Sequence, residues 1–230
     1  KGLSMRATLV FDLDGTLAET APDIMATLNH LLVREGLAPL PVSAARNLVG
    51  AGARALLERG FKAAGQPLGP EKLDTLFEAF LEHYLDHIAD LSFLFPGVEA
   101  ALKALAGEGF GLAICTNKPE AHSLALVERL GILRMFAAVA GRETFAFCKP
   151  DPRHLTETIR LAGGDAGRAI MIGDSRTDVD TARAAGIPVI GVTFGYTDTP
   201  MAALNPDHLI GHFDELHEAM QADPTYGPAH

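Results

Sequence analysis

Leu9-Val10-Phe11-Asp12-Leu13-Asp14-Gly15-Thr16-Leu17 is an apolar, β-prone run that ends abruptly in two aspartates and a glycine turn. A purely structural strand has little use for two carboxylates at its end, since burying an unpaired charge costs several kcal/mol or forces a pKa shift. With the two-residue period of a strand, Asp12 and Asp14 lie toward one side and Leu13 toward the other. Two readings stay open on this segment alone. Asp before Gly-Thr is good turn chemistry; converging carboxylates at a strand end also suit a bound cation and acid, base or nucleophilic work.

Outward from this run, β-prone segments are expected at 8–13, 110–116, 137–141, 169–173 and 188–193. Amphipathic helical patterns at 97–106, 119–130, 153–162 and 177–185 separate the later ones. Nearly continuous apolar strands alternating with helices predict an α/β fold: a parallel, Rossmann-like sheet covered on both faces, with right-handed crossovers. Residues 18–91 break the alternation. Helical patterns at 21–35, 41–49, 53–64 and 70–89, separated by glycines, predict an all-helical cap inserted after the first strand. The expected organisation is therefore a core of 1–17 and 92–230 with a cap of 18–91, seated above the carboxyl ends of the strands, where ligands bind in such sheets.

The chain has 230 residues, 48% hydrophobic, with a net charge of −10, which allows one sizeable core and disfavours nucleic-acid or anionic-membrane partners. No apolar run reaches the ~18 residues that span a bilayer. Cys115 and Cys148 fit neither a zinc pattern nor a disulfide framework, so a cytoplasmic setting is expected. Residues 1–4, ahead of Met5, are expected to be foreign to the native chain, and the tail after Asp223 to be disordered.

Three further strand ends carry candidate chemistry. In Cys115-Thr116-Asn117-Lys118-Pro119, Thr116 or Asn117 either caps the next helix or holds a phosphate at its free N–H groups. In Cys148-Lys149-Pro150, a loop lysine is ordinarily solvated, yet it stands where it could meet a phosphate. In Gly173-Asp174-Ser175-Arg176-Thr177-Asp178, Ser175 and Asp178 fit a capping box, which gives Asp178 a structural reason that Asp174 lacks. Taken together, carboxylates, a hydroxyl and a lysine all fall at strand ends of one sheet. An all-oxygen donor set favours Mg²⁺ beside a phosphate.

These four segments, in this order, resemble the four motifs of the haloacid dehalogenase superfamily of phosphatases, over nearly the whole chain. Phe95-Pro96-Gly97-Val98, with Thr116-Asn117-Lys118-Pro119 and Gly173-Asp174-Ser175, is similar to the phosphoglycolate phosphatase branch. The resemblance implies Asp12 as nucleophile, Asp14 as general acid and base, and Thr116, Asn117 and Lys149 as phosphate-binding groups. It further implies Mg²⁺ held by Asp12, the Asp14 main-chain carbonyl and Asp174, with Asp178 behind them. The expected substrate is a small phosphorylated metabolite, phosphoglycolate first; sugar phosphates, nucleoside monophosphates, pyrophosphate and a phosphomutase of the same superfamily are the alternatives. In the cap, Gly50 and Gly52 are expected to shape a specificity loop. Arg54 stands either as a ligand for a substrate carboxylate or as surface charge. His83 and His87, one helical turn apart, lack an evident third ligand. Hinges for cap movement are expected at 18–20 and 92–95.

Overall fold

The computed structural model describes residues 7–44, 48–49, 52–197 and 199–222. The chain opens with strand β1 (Thr8–Phe11), turns through Asp12–Leu17 into a two-residue strand β2 (Ala18–Glu19), and enters helix α1 (Ala21–Arg34). Helices α2 (Ala53–Ala63) and α3 (Pro70–Asp86) follow, and β3 (Phe93–Leu94) brings the chain back. Then come α4 (Val98–Gly107), β4 (Gly111–Cys115), α5 (Glu120–Arg129), β5 (Ala138–Ala140), α6 (Pro152–Leu161), β6 (Ala169–Gly173), α7 (Arg176–Ala185), β7 (Val189–Val192), β8 (His208–Ile210) and α8 (Leu216–Ala222).

Six strands form one parallel sheet in the order β5-β4-β1-β6-β7-β8. β1 lies between β4 and β6, and the chain reverses its direction of travel across the sheet there, the switch point at which such sheets bind ligands. All four β1 residues are buried because helices cover both faces. Leu9 and Phe11 join Ile114, Ile170 and Ile172 on one face, and Val10 joins Ala113, Cys115 and Met171 on the other. The smaller side chains of the second face let α6 and α7 lie close to the sheet, through Leu155, Ile159 and Val179. A single β1 run thus serves two cores, which is why its pattern reads as continuous rather than alternating.

Helices α1, α2 and α3 pack on one another through Leu28, Leu31, Leu57, Phe61, Leu76 and Phe80. Their entry and exit legs meet as an antiparallel pair, Ala18 opposite Leu94 and Glu19 opposite Phe93. Buried Asp23, in the first turn of α1, accepts hydrogen bonds from the N–H groups of Leu91 and Ser92 and from the Ser92 hydroxyl. The negative side chain suits the positive end of the helix dipole while it ties the two legs together.

Three differences from the sequence expectation have local causes. Residues 18–19 form a strand within a stretch expected to be helical, too short for any pattern to reveal. Of the helix expected at 41–49, Val42–Ala44 form a tight 3-10 turn rather than an α-helical one and Leu48 is helical, with 45–47 outside the described residues. Strand β8 was not foreseen, since three residues at a sheet edge with Leu209 exposed carry little hydrophobic signal.

Candidate active site

Asp12, Thr116 and Asp174 stand where strands of the sheet end, Lys149 lies late in the loop from β5 to α6, and Asp178 is in the first turn of α7. Asp12 follows β1, and its N–H still donates to Ile172 O at 2.9 Å, continuing the ladder to β6. The Asp12 carboxylate accepts from Leu13 N–H at 2.8 Å and lies 3.1 Å from the Lys149 ammonium. Lys149, expected to be an ordinary loop lysine unless functional, is 3% exposed, and its second ion pair is with Asp178 at 2.6 Å. Asn117 positions that loop by donating from Nδ2 to Lys149 O at 2.9 Å. His154 of α6 accepts the Lys149 N–H on Nδ1 and pairs through Nε2 with Gly141 O, both at 3.1 Å. One imidazole therefore ties together the two ends of the loop between β5 and α6 that carries the lysine.

Asp174 follows β6. Its carboxylate accepts from the Thr16 hydroxyl at 3.2 Å and from Tyr196 N–H at 2.7 Å. Asp178, fully buried on α7, closes the capping box: it accepts from Ser175 N–H at 3.0 Å and Ser175 Oγ at 2.6 Å. Close backbone approach is needed here. A Cβ on Gly195 would fall 2.2 Å from Asp174, and Gly15, at φ 81°, would bring one 2.4 Å from the same carboxylate.

Burial pushes the Asp12 carboxyl up to about 6, against the pull of Lys149. Burial, and then the charges of Asp12 and Asp178, hold Asp174 well above the usual carboxylate range. Burial opposes the Lys149 charge, yet Asp12 and Asp178 outweigh it and raise the lysine above its ordinary value. Asp12, Asp174 and Asp178 each offer an oxygen, and these oxygens lie within 4.8 Å of one another. Three carboxylates against one lysine leave about two negative charges uncompensated in a buried, all-oxygen cluster. That charge and donor type fit a divalent hard cation such as Mg²⁺. Asp178 already serves Lys149 and Ser175, so it stands behind the cluster rather than open to a ligand.

Asp14 separates from this cluster. Its carboxylate accepts from the Lys118 ammonium at 3.0 and 3.2 Å. Lys118 is itself 7% exposed and donates to the Tyr84 hydroxyl of α3 at 2.7 Å, with the ammonium 4.3 Å from the centre of the Tyr84 ring. Thr116, nearly fully buried, neither caps α5, whose N-cap is Pro119, nor leaves the pocket; its hydroxyl accepts Lys118 N–H at 3.2 Å.

These groups line one cavity of about 140 Å³, floored by Asp12, Thr116 and Asp174, rimmed by Asp14 and Lys118, and roofed by Ile24, Leu56, Phe80 and Tyr84 of the helices. The size lies below the roughly 300–1,000 Å³ of pockets for drug-sized ligands and suits a small substrate. Gly52 lines the cavity; Gly50 lies outside the described residues. Arg54 does not reach it. Its guanidinium turns to Asp74 at 2.6 Å and over the Phe77 ring at 4.4 Å, on the exposed side of the insert, so the surface-charge alternative is the one the structure has. Lys118 and Tyr84 went unassigned in the sequence, although Lys118 adjoins the strand-end motif; Lys118 reaches Asp14 across 104 residues and Tyr84 across 34. Tyr196 also escaped notice: its N–H serves Asp174, and its hydroxyl accepts from Thr20 and Ala21 N–H while donating to Glu19.

A doubly wound parallel sheet with carboxylates and a lysine at its C-terminal edge, roofed by an inserted set of helices, defines the class: an α/β enzyme with a covered site. The chain belongs to the haloacid dehalogenase-like hydrolases, whose family model matches residues 9–192. It is 54% identical to a phosphoglycolate phosphatase of Mesorhizobium japonicum over 92% of this chain and 93% of that one. A phosphoglycolate phosphatase of Caulobacter vibrioides is 46% identical over 97% and 94% of the two chains. Among solved structures, a predicted phosphoglycolate phosphatase from Haemophilus somnus superposes with a TM-score of 0.85 at 28% identity, covering 94% of this chain and 99% of that one.

Proposed function

We propose that this protein hydrolyses small phosphomonoesters, with 2-phosphoglycolate as the favoured substrate, through a phosphorylated Asp12. The observation that carries the reading is the division of labour between the two aspartates of one turn: Asp12 is held by Lys149 at 3.1 Å, and Asp14 by Lys118 at 3.0 Å, in the same cavity. The names of the relatives at 46–54% identity support the substrate.

An Asp12 oxygen attacks phosphorus, forming an acyl phosphate as the bond from phosphorus to the substrate oxygen breaks. Asp14 gives its proton to that departing oxygen, releasing glycolate. It then takes a proton from the water that attacks phosphorus, and inorganic phosphate leaves with Asp12 regenerated. Thr116, the Asn117 N–H and Lys149 hold the phosphoryl oxygens; Lys149 also offsets the charge between nucleophile and phosphate. Asp12, Asp174 and the Asp14 main-chain carbonyl would hold Mg²⁺, supported by Asp178. When bound, the cation supplies the positive charge that lets an anionic carboxylate approach an anionic phosphate. Around this centre the apolar helices exclude bulk water, and the paired legs at 18–19 and 93–94 provide the hinge about which they open.

Phosphate release from a panel of phosphomonoesters, with Mg²⁺ and with a chelator, tests the reading. The expected result is Mg²⁺-dependent turnover, fastest for 2-phosphoglycolate. No turnover of any member with the metal present would overturn it.

A further inference from the structure

Among the described residues that line the cavity, Lys118 is the one cation. Lys149 is set into the floor between Asp12 and Asp178, on the side of the transferring phosphoryl group. The charge of Lys118 is nearly buried, and its hydrogen bonds run to Asp14 and the Tyr84 hydroxyl. A purely structural role for this lysine is hard to justify, because the half-buried Asp14 carboxylate it pairs with faces the cavity, where a ligand can share the ammonium. Apart from Tyr84, the helical side of the cavity is apolar: Ile24, Leu56, Phe80 and Leu81 have no polar side-chain group to offer a substituent. A substrate whose far end is uncharged would leave the ammonium unchanged, whereas one with a second anion would meet a charge-assisted donor in a site with little water.

We infer that Lys118 and the Tyr84 hydroxyl form the receptor for a carboxylate next to the departing oxygen, so that the preferred substrates are phosphate esters of short 2-hydroxy acids. The inference rests on the phosphatase reading above and deepens it. Its geometry follows from Asp14, which must reach the departing oxygen. Lys118 sits 3.0 Å from that carboxylate, so it meets whatever substituent lies one or two carbons from the same oxygen. Glycolate places its carboxylate at that separation. Lys118 then shares its protons between Asp14 and the substrate, and Tyr84, carried by α3, completes the receptor only when the helices are seated on the core. Recognition of the acid group and closure over the site are one event in this arrangement. Arg54, the alternative carboxylate ligand, lies on the outer surface of the insert instead.

The test compares kcat/KM for 2-phosphoglycolate and for ethyl phosphate, which has the same two-carbon chain without the carboxylate oxygens, in the Mg²⁺-loaded protein. Wild type is expected to prefer phosphoglycolate strongly. In Lys118→Met the KM for phosphoglycolate should rise on the order of 100-fold, and the preference over ethyl phosphate should fall by at least about 30-fold, the scale of losing a buried charged pair. Tyr84→Phe, which keeps the ring, should lower the preference by about 3- to 10-fold. Lys118→Arg, which keeps the charge, should recover part of it. Equal loss toward both substrates in Lys118→Met, with the preference intact, would mean that Lys118 serves only Asp14, and the proposal fails. Should that variant not fold, an unaltered preference in Tyr84→Phe overturns it equally. A wild type that hydrolyses ethyl phosphate without favouring phosphoglycolate refutes this inference and the choice of phosphoglycolate while leaving the phosphatase chemistry standing; one that hydrolyses neither refutes the phosphatase reading itself.

Discussion

The floor and the rim of the cavity each contain an aspartate paired with a lysine, but they are built differently. On the floor, Asp12, Lys149, Asp174 and Asp178 all belong to the core, and each is held by backbone or side-chain partners from strand ends and from the cap of α7. On the rim, the partner that completes the Asp14–Lys118 pair is Tyr84, which arrives from the helical insert. The floor is therefore assembled wherever the sheet is folded. The rim is complete only when two parts of the chain are seated together. Chemistry common to a family belongs on the first kind of surface, and selectivity among its substrates on the second, where an altered helix changes a contact without disturbing the sheet.

The largest expected effect strikes the floor. Asp12→Asn should lower turnover by at least about 10⁴-fold and abolish trapping of phosphate on the Asp12 peptide. A variant that still accumulates phosphorylated Asn-containing peptide, or that turns over at near wild-type rates, removes the distinction between the two aspartates. Next, Lys149→Met leaves Asp12 and Asp178 without their counter-charge in a dry site. Urea unfolding of the metal-free protein should show a loss of about 3–5 kcal/mol, the cost of breaking a buried pair. A loss below about 1 kcal/mol would make the floor as loosely held as a surface ion pair.

A third effect depends on pH. Burial, and then the neighbouring Lys149 charge, depress His154 to about 4, and its neutral ring already accepts the Lys149 N–H. The unfolded chain carries this imidazole near 6.5, so between about 6.5 and 4 it binds more protons than the folded one. Stability from His154 is fully present above 6.5 and falls as the pH drops, by about 3 kcal/mol once below 4. Unfolding midpoints at pH 7 and 4.5 should diverge less in His154→Gln than in wild type; equal divergence in both would count against a floor braced by this histidine. The smallest effect lies beyond the rim. Arg54→Ala should shift stability by less than about 1 kcal/mol and leave the KM for phosphoglycolate within about twofold, since its ion pair is exposed. A tenfold rise in KM would return Arg54 to the cavity.

Much of the floor was legible because local patterns encode it. Apolar runs that stop at Asp12 and Asp174 mark strands buried on both faces whose ends face a ligand, and Ser175 with Asp178 reads as a capping box from spacing alone. The burial of Lys149 was not legible. A lysine in a Pro-rich loop looks solvated until Asn117, His154 and Asp178 are seen to converge on it from three other segments. Arg54 was left open between two readings for the opposite reason: position near a glycine loop says nothing of the direction in which a long side chain turns, and here Asp74 and Phe77 direct it outward. His83 carried a similar ambiguity, and it stacks between His30 of α1 and its own neighbour His87.

By itself, the order of residues along the chain determined the parallel sheet, the helices inserted after its first strand and the carboxylates at its strand ends. Those features follow from periodicity and from the cost of burying charge, both of which act over a few residues. Only the tertiary structure decided that Asp12 and Asp14 part company, one toward Lys149 and the other toward Lys118 and Tyr84. The two ion pairs join side chains more than a hundred residues apart, and the packing of the helices on the sheet, rather than a local pattern, sets which charges meet.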